Sequence, residues 1–126
     1  MKKIIHTTNA PEPIGPYSQA VLVNNMLFAS GQIAIVSPDN TLNTANIIDE
    51  TNQVMKNIGE VLRAADMNYS HIIKTSIFLK DMNQFAQVNE IYGSYFSTDF
   101  PARETVQVSR LPKDVNVEIS VIAVLD

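Results

Sequence analysis

Arg103 is the residue with the clearest potential for chemistry in this sequence. It lies at the entry to a segment, 104–110, whose composition is typical of a short, half-buried strand. A guanidinium carries a fixed fork of N–H donors that matches a carboxylate or a phosphate. The commoner role of an arginine is a surface or interface salt bridge, for which Glu104 is the nearest partner in sequence. The pattern therefore indicates either an anion-binding arginine or a structural ion pair.

Thr105 follows Arg103 by two residues, so the two side chains should share one face of the strand. A threonine hydroxyl can donate or accept a hydrogen bond but cannot form a thiolate. Thr105 is therefore a candidate for the same site. The alternative is an ordinary β-branched strand residue.

Glu118 alternates with apolar Val117 and Ile119 in the last predicted strand. A carboxylate on a covered strand is costly unless it is paired or protonated. This placement predicts a raised pKa and a role in proton transfer. The alternative is a buried ion pair with Arg110 or with a lysine.

Tyr17 and the pair Ser30-Gly31 are further candidates near the amino end of the chain. Tyr17 directly follows Gly15-Pro16, a rigid approach that would fix its ring; the alternative is an aromatic core anchor. Ser30-Gly31 ends a predicted strand, where the missing Cβ of glycine lets backbone N–H groups meet a carboxylate or oxyanion. The alternative there is a bulge or turn.

The remaining candidates are weaker. Asn89 and Phe85 belong to a predicted helix, where the usual roles are a solvated polar residue and a core residue, and where Phe85 could instead form a cleft wall. The two histidines, His6 and His71, lack the spacing of metal ligands, so no metal site is predicted.

Composition limits the class of protein. The 126 residues predict a single domain, 1–126, and the absence of cysteine rules out disulfides and thiolate chemistry. A net charge of −4 without a basic run argues against nucleic-acid binding. No apolar run is long enough for a signal peptide or a membrane span, so a soluble cytoplasmic protein is expected.

The first half of the chain reads as a hairpin followed by a helix. Ser18 to Val23 and Met26 to Ser30 are strand-like and flank Asn24-Asn25, a two-residue turn that favours positive φ. Segment 36–43 contains a Ser-Pro-Asp-Asn turn. A helix is predicted from about 46 to 65, with Asn46 as its N-cap. Its apolar residues recur at helical spacing: Ile47, Ile48, Val54, Met55, Ile58, Val61, Leu62 and Ala65.

The second half repeats strand and helix before two final strands. His71 to Leu79 should form a strand, and Asp81 with Gln84 resembles a capping box. A second helix follows, and its apolar face comprises Phe85, Val88, Tyr92 and Phe96. Strands are expected near 104–110 and 115–124. The order predicts an α+β fold with helices on one face of a mixed sheet.

The last strand is apolar on both faces, since Val117, Ile119, Val121, Ala123 and Leu125 share one face and Ile122 and Val124 the other. Two helices cannot cover both faces of the sheet. Association of subunits is the expected cover.

Five motifs in register resemble the RidA/YjgF family over essentially the whole chain. They are Ile14-Gly15-Pro16-Tyr17-Ser18-Gln19-Ala20, Ala29-Ser30-Gly31-Gln32-Ile33, Asp81-Met82 with Phe85, Val88, Asn89 and Tyr92, Pro101-Ala102-Arg103, and Leu111-Pro112-Lys113-Asp114 with Val117-Glu118-Ile119. The resemblance implies a chorismate-mutase-like α+β fold of about six strands and two helices. It also implies a homotrimer whose sheets form an inner barrel, with ligand clefts between subunits.

The family's archetypal activity is hydrolysis of 2-imino or enamino acids, such as 2-aminoacrylate, to 2-keto acids and ammonia, without a cofactor. By resemblance, Arg103 binds the substrate carboxylate, Glu118 handles protons, and Tyr17 closes the cleft from a neighbouring subunit. Thr105 and Gly31 shape the pocket, with Ser30, Phe85 and Asn89 around it.

Two residues depart from the family pattern. Thr105 stands where the best-known members have cysteine, and Glu104 replaces a small polar residue, which would alter the charge near the mouth of the cleft. The expected ligands are small imino or keto acids. The alternatives are a non-catalytic keto-acid-binding regulator on the same fold, a chaperone-like protein, or a nuclease, and the acidic net charge counts against the last.

Overall fold

The computed structural model describes residues 1–126. Two α-helices are present, α1 (Ile47–Ala64) and α2 (Phe85–Gly93). Short 3₁₀ turns occur at Tyr69–His71, Met82–Gln84 and Pro112–Asp114. The strands are β1 (Lys2–Ile5), β2 (Ala20–Val23), β3 (Met26–Ala29), β4 (Ile35–Val36), β5 (Thr41–Leu42), β6 (Ile72–Leu79), β7 (Ala102–Gln107) and β8 (Val117–Val124).

Six strands form one mixed sheet in the order β1-β2-β3-β8-β6-β7. The pair β6–β7 is parallel and the other pairs are antiparallel. β4 and β5 form a separate small hairpin around the predicted turn. The predicted α+β architecture, a mixed six-stranded sheet with two helices, is therefore confirmed. The sequence pattern does not predict β1, an edge strand in which only Ile5 is buried.

The predicted hairpin is formed by β2 and β3, which pair in register from Ala20↔Ala29 to Val23↔Met26. Asn24 has a φ of +54°, the left-handed conformation that asparagine tolerates in a tight turn. The turn thereby sets the direction of β3, whose continuation carries Ser30 and Gly31.

Helix α1 begins as predicted. The Asn46 side chain accepts a hydrogen bond from the N–H of Asp49 at 2.8 Å, which satisfies one of the free donors of the first turn. The apolar face of α1 packs on the sheet, with Val54, Met55 and Ile58 fully buried.

The start of α2 differs from the prediction. The Asp81 side chain does accept from the N–H of Asn83 at 2.9 Å, but it caps a 3₁₀ turn that precedes the helix. Gln84 does not complete a capping box. The N–H of Met82, at the first position of the turn, is bound by Gln107 Oε1 at 2.7 Å, from the end of β7. A tertiary contact thus adds to the local Asp81 cap.

The two faces of the sheet are unequal in the single chain. On the helix side of β8, Val117, Ile119, Val121 and Ala123 are buried. On the other side an apolar row runs across four strands through the register pairs Ile4↔Val21, Val21↔Phe28 and Phe28↔Ile122. Phe28 in this row is 43% exposed, so this face lacks a cover within the chain.

Neither helix has the combination of length and apolar character needed to traverse a lipid bilayer.

Candidate functional site

Arg103 lies near the start of β7, the edge strand of the sheet, and faces α2. Its register partner on β6 is the buried Thr75. The guanidinium donates from Nη1 to Asn89 Oδ1 at 2.6 Å. Its carbon lies 5.6 Å from the ring centre of Phe85 and 5.4 Å from that of Tyr92, within the range of cation–π attraction. Three side chains of α2 therefore hold the guanidinium in place.

No carboxylate of the chain pairs with Arg103. Its remaining donors face a cavity of about 450 Å³, lined by Asn89, Tyr92, Gly93, Phe100, Pro101 and Arg103. The predicted alternative, an ion pair with Glu104, is wrong. Adjacent residues of a strand point to opposite faces, and Glu104 lies on the other side of the sheet.

Glu104 is engaged there by Lys74 Nζ at 3.1 Å and by the Ser76 hydroxyl. These hydrogen bonds, that from Ser76 first, lower the pKa of the Glu104 carboxyl, so it stays ionised. The expectation that Glu104 alters the charge near the mouth of the cleft stays a prediction, because that cleft is expected between subunits.

The ring of Tyr92 packs against the guanidinium of the arginine and helps to position it, a role that the sequence pattern does not predict. Its hydroxyl contacts Thr75 Oγ1 at 2.9 Å. Burial raises the pKa of the Tyr92 hydroxyl, which keeps it neutral under the guanidinium. Helical spacing places Tyr92 on the apolar face of α2, and Tyr92 is buried. Its second role arises because the Arg103 guanidinium lies over its ring.

Thr105 shares the Arg103 face of β7, as predicted from the spacing of two. Its register partner is Ile77, a core residue. Thr105 Oγ1 is buried and has no hydrogen-bond partner within the chain. Since buried hydroxyls are nearly always satisfied, Thr105 Oγ1 is an exception among the buried polar side-chain atoms of the chain.

Glu118 lies on the opposite face of the sheet from Arg103. The register places it beside Phe78 on β6, whereas its neighbour Ile119 pairs with Ile77 on the helix side. Burial raises the pKa of the Glu118 carboxyl, as predicted. The alternative of an ion pair with Arg110 or a lysine is wrong, because Glu118 forms no salt bridge within the chain.

Gly31 packs directly against the Glu118 side chain. A Cβ placed on Gly31 would lie 2.8 Å from Glu118 Cδ, closer than van der Waals contact allows. Only glycine therefore leaves the carboxylate undisturbed here. The Gly31 N–H makes no backbone hydrogen bond, so it is free for a ligand.

Ser30 is structural within the chain. Its hydroxyl donates to the Ser18 carbonyl at 2.6 Å and its N–H donates to the Gln19 carbonyl at 2.9 Å. These bonds fix the segment that leads into Gly31. The predicted ligand contact of Ser30 stays a prediction.

Tyr17 is 52% exposed, which contradicts the alternative of a core anchor. Its hydroxyl accepts a hydrogen bond from the N–H of Ile14 at 3.3 Å, across a turn in which Gly15 has a φ of +133°. Tyr17 lines a cavity of about 400 Å³ together with Gly31, Glu118, Glu12 and Lys113.

The predicted residues thus fall into two separate groups. We call Phe85, Asn89, Tyr92, Arg103 and Thr105 the arginine half-site, and Tyr17, Gly31 and Glu118 the glutamate half-site. The first borders the helix side of the sheet at the β7 edge, and the second lies by the opposite face. The cavity that Arg103 lines and the cavity that Glu118 lines have no residue in common.

A groove of about 820 Å³ lies elsewhere, between α1 and the segments around Pro38 and Asn68. None of the predicted site residues lines it. Its Glu60 and Arg63 lie 3.7 Å apart, and the Arg63 side chain is 79% exposed. The groove is therefore open, solvated surface.

The two histidines have local partners. His6 Nε2 lies 2.9 Å from Glu12 Oε1. His71 Nδ1 accepts from the N–H of Asn68 at 3.0 Å and closes a capping box on the 3₁₀ turn before β6.

Comparisons with known proteins agree with the sequence motifs. A family model described as Endoribonuclease L-PSP matches residues 7–125. A RutC family protein of Pyrococcus horikoshii is 50% identical over 123 residues, which cover 98% of both chains. The Mus musculus protein named 2-iminobutanoate/2-iminopropanoate deaminase is 44% identical over 124 residues, covering 98% of this chain and 92% of that one.

A solved structure shows the same fold. The crystal structure of E. coli TdcF with bound serine matches with a TM-score of 0.94 at 40% identity, covering 98% of this chain and 99% of that one. The names of these relatives differ, but their likeness covers nearly the whole chain. The chain therefore belongs to the RidA/YjgF family.

Proposed function

We propose that the protein hydrolyses small 2-imino or enamino acids to 2-keto acids and ammonia. The observation that carries the proposal is Arg103, a guanidinium held by Asn89, Phe85 and Tyr92 with no carboxylate partner in the chain. Such a group is preorganised for a planar anion. The 44% identity to a protein named as an imine deaminase supports the same reaction.

The arginine half-site would bind the substrate. Its guanidinium takes the carboxylate, and the cavity beside it, lined by the rings of Tyr92 and Phe100, leaves room for a small side chain. Binding at a rigid fork presents the C=N carbon to water in one orientation. The buried Thr105 hydroxyl, which has no partner in the chain, would bind the nitrogen or the attacking water.

The glutamate half-site would carry out the proton transfers. Glu118 takes a proton from water as the water oxygen attacks the C=N carbon, and it gives that proton to the imine nitrogen to form the amino alcohol. Glu118 then takes the hydroxyl proton as the C=O bond forms and the C–N bond breaks, and it passes this proton to the leaving nitrogen, which departs as ammonia. A carboxyl with a raised pKa suits both steps. The free Gly31 N–H faces the developing negative charge.

The two half-sites would meet between subunits of a homotrimer. In this trimer the sheets of the three subunits would form an inner barrel, the chorismate-mutase-like arrangement. Two features support this proposal. The apolar row through Phe28 and Ile122 needs a cover that the chain lacks. In a ring of three subunits, the arginine half-site of one chain can face the glutamate half-site of the next, because such interfaces join two different surfaces.

The experiment that tests both points couples the purified protein to an amino-acid oxidase and follows keto-acid formation from the imine product. We expect wild type to accelerate this step. Arg103→Ala and Glu118→Gln should each be inactive. Co-expressed in equal amounts, they should recover about a quarter of the wild-type activity, since about a quarter of all interfaces join an intact arginine half-site to an intact glutamate half-site.

A co-expressed pair of Arg103→Ala and Arg103→Gln is the matched control, because both variants damage the same half-site. Recovery of activity in the control pair, or no recovery in the pair of Arg103→Ala and Glu118→Gln, would refute a cleft shared between subunits. A wild type that is inert toward all imines tested would refute the deaminase itself.

Thr105→Val separates a ligand-binding role from a structural one. Valine has the same shape without the hydroxyl, so kcat/KM should fall about tenfold through loss of one hydrogen bond. The free energy of unfolding should stay the same or rise, because a buried hydroxyl without a partner is removed. Imine hydrolysis and thermal unfolding measure the two effects. Unchanged activity would assign Thr105 a packing role alone.

Binding without turnover is the second candidate function, favoured by the serine found in the E. coli TdcF structure. It predicts keto-acid binding by calorimetry, abolished in Arg103→Ala, with no acceleration of imine hydrolysis. A chaperone-like role would instead show suppression of aggregation that Arg103→Ala leaves unchanged.

A further inference from the structure

Helix α1 buries two polar side chains that its apolar pattern does not require. Glu50 is completely buried and Asn57 is 2% exposed. They are seven residues apart, which is two turns or about 10.5 Å along one face of the helix. Buried polar groups are costly unless they bind specific partners, so the partners of these two residues are informative.

Glu50 binds the segment directly before Glu118. Its Oε2 accepts the N–H of Asn116 at 2.7 Å and that of Val117 at 3.1 Å. Its Oε1 accepts from Asn116 Nδ2 at 2.7 Å. Three donors on one carboxylate fix the backbone where β8 begins.

Asn57 binds the segment that follows Gly31. Its Nδ2 donates to the carbonyl of Ile33 at 3.0 Å and to that of Ile35 at 2.9 Å. Gln53 Nε2 donates to Asn57 Oδ1 at 3.0 Å and holds the amide in this orientation. A second stretch of backbone is thereby fixed to the same face of α1.

The two stretches are joined beside the glutamate half-site. Gln32 donates its N–H to the Ile119 carbonyl at 2.8 Å, and Ile119 donates to the Gln32 carbonyl at 3.1 Å. Gly31 and Glu118 are the immediate neighbours of this bridge. The contact between them therefore depends on two backbone segments, each held by one buried polar residue of α1.

We propose that Glu50 and Asn57 are positioning residues that hold Gly31 and the Glu118 carboxylate in register for proton transfer. The proposal rests on the deaminase function. Neither residue touches the arginine half-site, so their loss should act on turnover and leave carboxylate binding intact.

Three variants of α1 test the proposal. Glu50→Met keeps the length of the side chain but removes the acceptors, and kcat should fall roughly 10- to 100-fold with little change in KM, as expected for a misplaced catalytic group. Glu50→Gln should retain most of the wild-type kcat. The glutamine oxygen can accept from the N–H groups of Asn116 and Val117, and the side-chain amide of Asn116 can flip to accept from the glutamine nitrogen. Thr51→Val is the matched control: Thr51 is equally buried, but its hydroxyl bonds only to Ile47 of its own helix.

Amide hydrogen exchange provides a readout that does not depend on activity. In Glu50→Met, exchange should speed up at Asn116 and Val117 and also at the bridging amides of Gln32 and Ile119. Asn57→Ala tests the same bridge from the other segment if Glu50→Met does not fold.

The outcomes separate the two proposals. Loss of kcat in Glu50→Met, with rescue by glutamine and none of the loss in Thr51→Val, supports positioning. Unchanged kcat, or an equal loss in Thr51→Val, overturns it. If the wild type does not hydrolyse imines, the deaminase proposal is refuted and hydrogen exchange alone tests the positioning role. Faster exchange in Glu50→Met at the bridging amides of Gln32 and Ile119 would support positioning. A change confined to Asn116 and Val117 would overturn it.

Discussion

Replacing Arg103 with alanine is expected to lower kcat/KM for imine hydrolysis by at least about 1,000-fold, because one change removes both the carboxylate-binding fork and the orientation of the C=N carbon. Keto-acid binding should be lost in parallel. Arg103→Lys keeps the positive charge but loses the planar pair of donors. It should therefore recover only a minor part of the activity, in the coupled oxidase assay and in calorimetric titration with a keto acid.

Arg63→Ala is the matched control for this prediction. The Arg63 side chain is 79% exposed on α1 and lies outside both half-sites, so its loss should leave kcat/KM unchanged. Thermal unfolding of Arg103→Ala should remain close to wild type, since Arg103 forms no salt bridge within the chain and its hydrogen bond to Asn89 is exposed. If Arg103→Ala retains full activity while folded, the guanidinium is not the carboxylate anchor.

Replacing Glu118 with glutamine is expected to lower kcat by about 100- to 10,000-fold, the range that positioned acid–base groups contribute. Glutamine preserves the shape against Gly31 and cannot exchange a proton. Carboxylate binding should be unchanged, because Arg103 lies in the other half-site. This effect on kcat alone differs from that of Arg103→Ala, which should also abolish keto-acid binding.

The pH profile tests the same residue. Burial raises the pKa of Glu118, so the acid limb of kcat/KM should lie above the usual range of a glutamate and should vanish in the residual activity of Glu118→Gln. The raised pKa also makes the wild-type fold lose stability as pH rises through it, since the folded state holds the proton more tightly. Across that pH interval, the free energy of unfolding of Glu118→Gln should therefore rise relative to that of wild type. An acid limb that survives in Glu118→Gln would assign the proton transfer to another group.

Local rules were sufficient for most of the secondary structure. The 3.6-residue period and the Asn46 cap predict α1 to within a residue at each end, because capping and amphipathic spacing act over a few residues. The β2–β3 hairpin is predicted for the same reason. Both predictions depend only on residues that lie close together in the sequence.

Prediction was poorer where a partner lies far away in the chain. The turn that precedes α2 is held by Gln107, 25 residues from the N–H of Met82 that it binds, in addition to the local Asp81 cap. The partner of Arg103 is Asn89, 14 residues away, and not the adjacent Glu104. Glu50 finds its donors 66 and 67 residues away. Spacing along the chain contains no information about such pairs.

The sequence alone determined the family, the α+β class, and the residue types able to bind a carboxylate and move a proton, because these follow from motifs and short-range periodicity. It also determined that Arg103 and Thr105 share a face, since side chains alternate along a strand. Only the tertiary structure decided that Glu118 lies on the other face, beside Gly31, because strand register is set by pairings between distant segments. One sheet therefore separates the two halves of the candidate site.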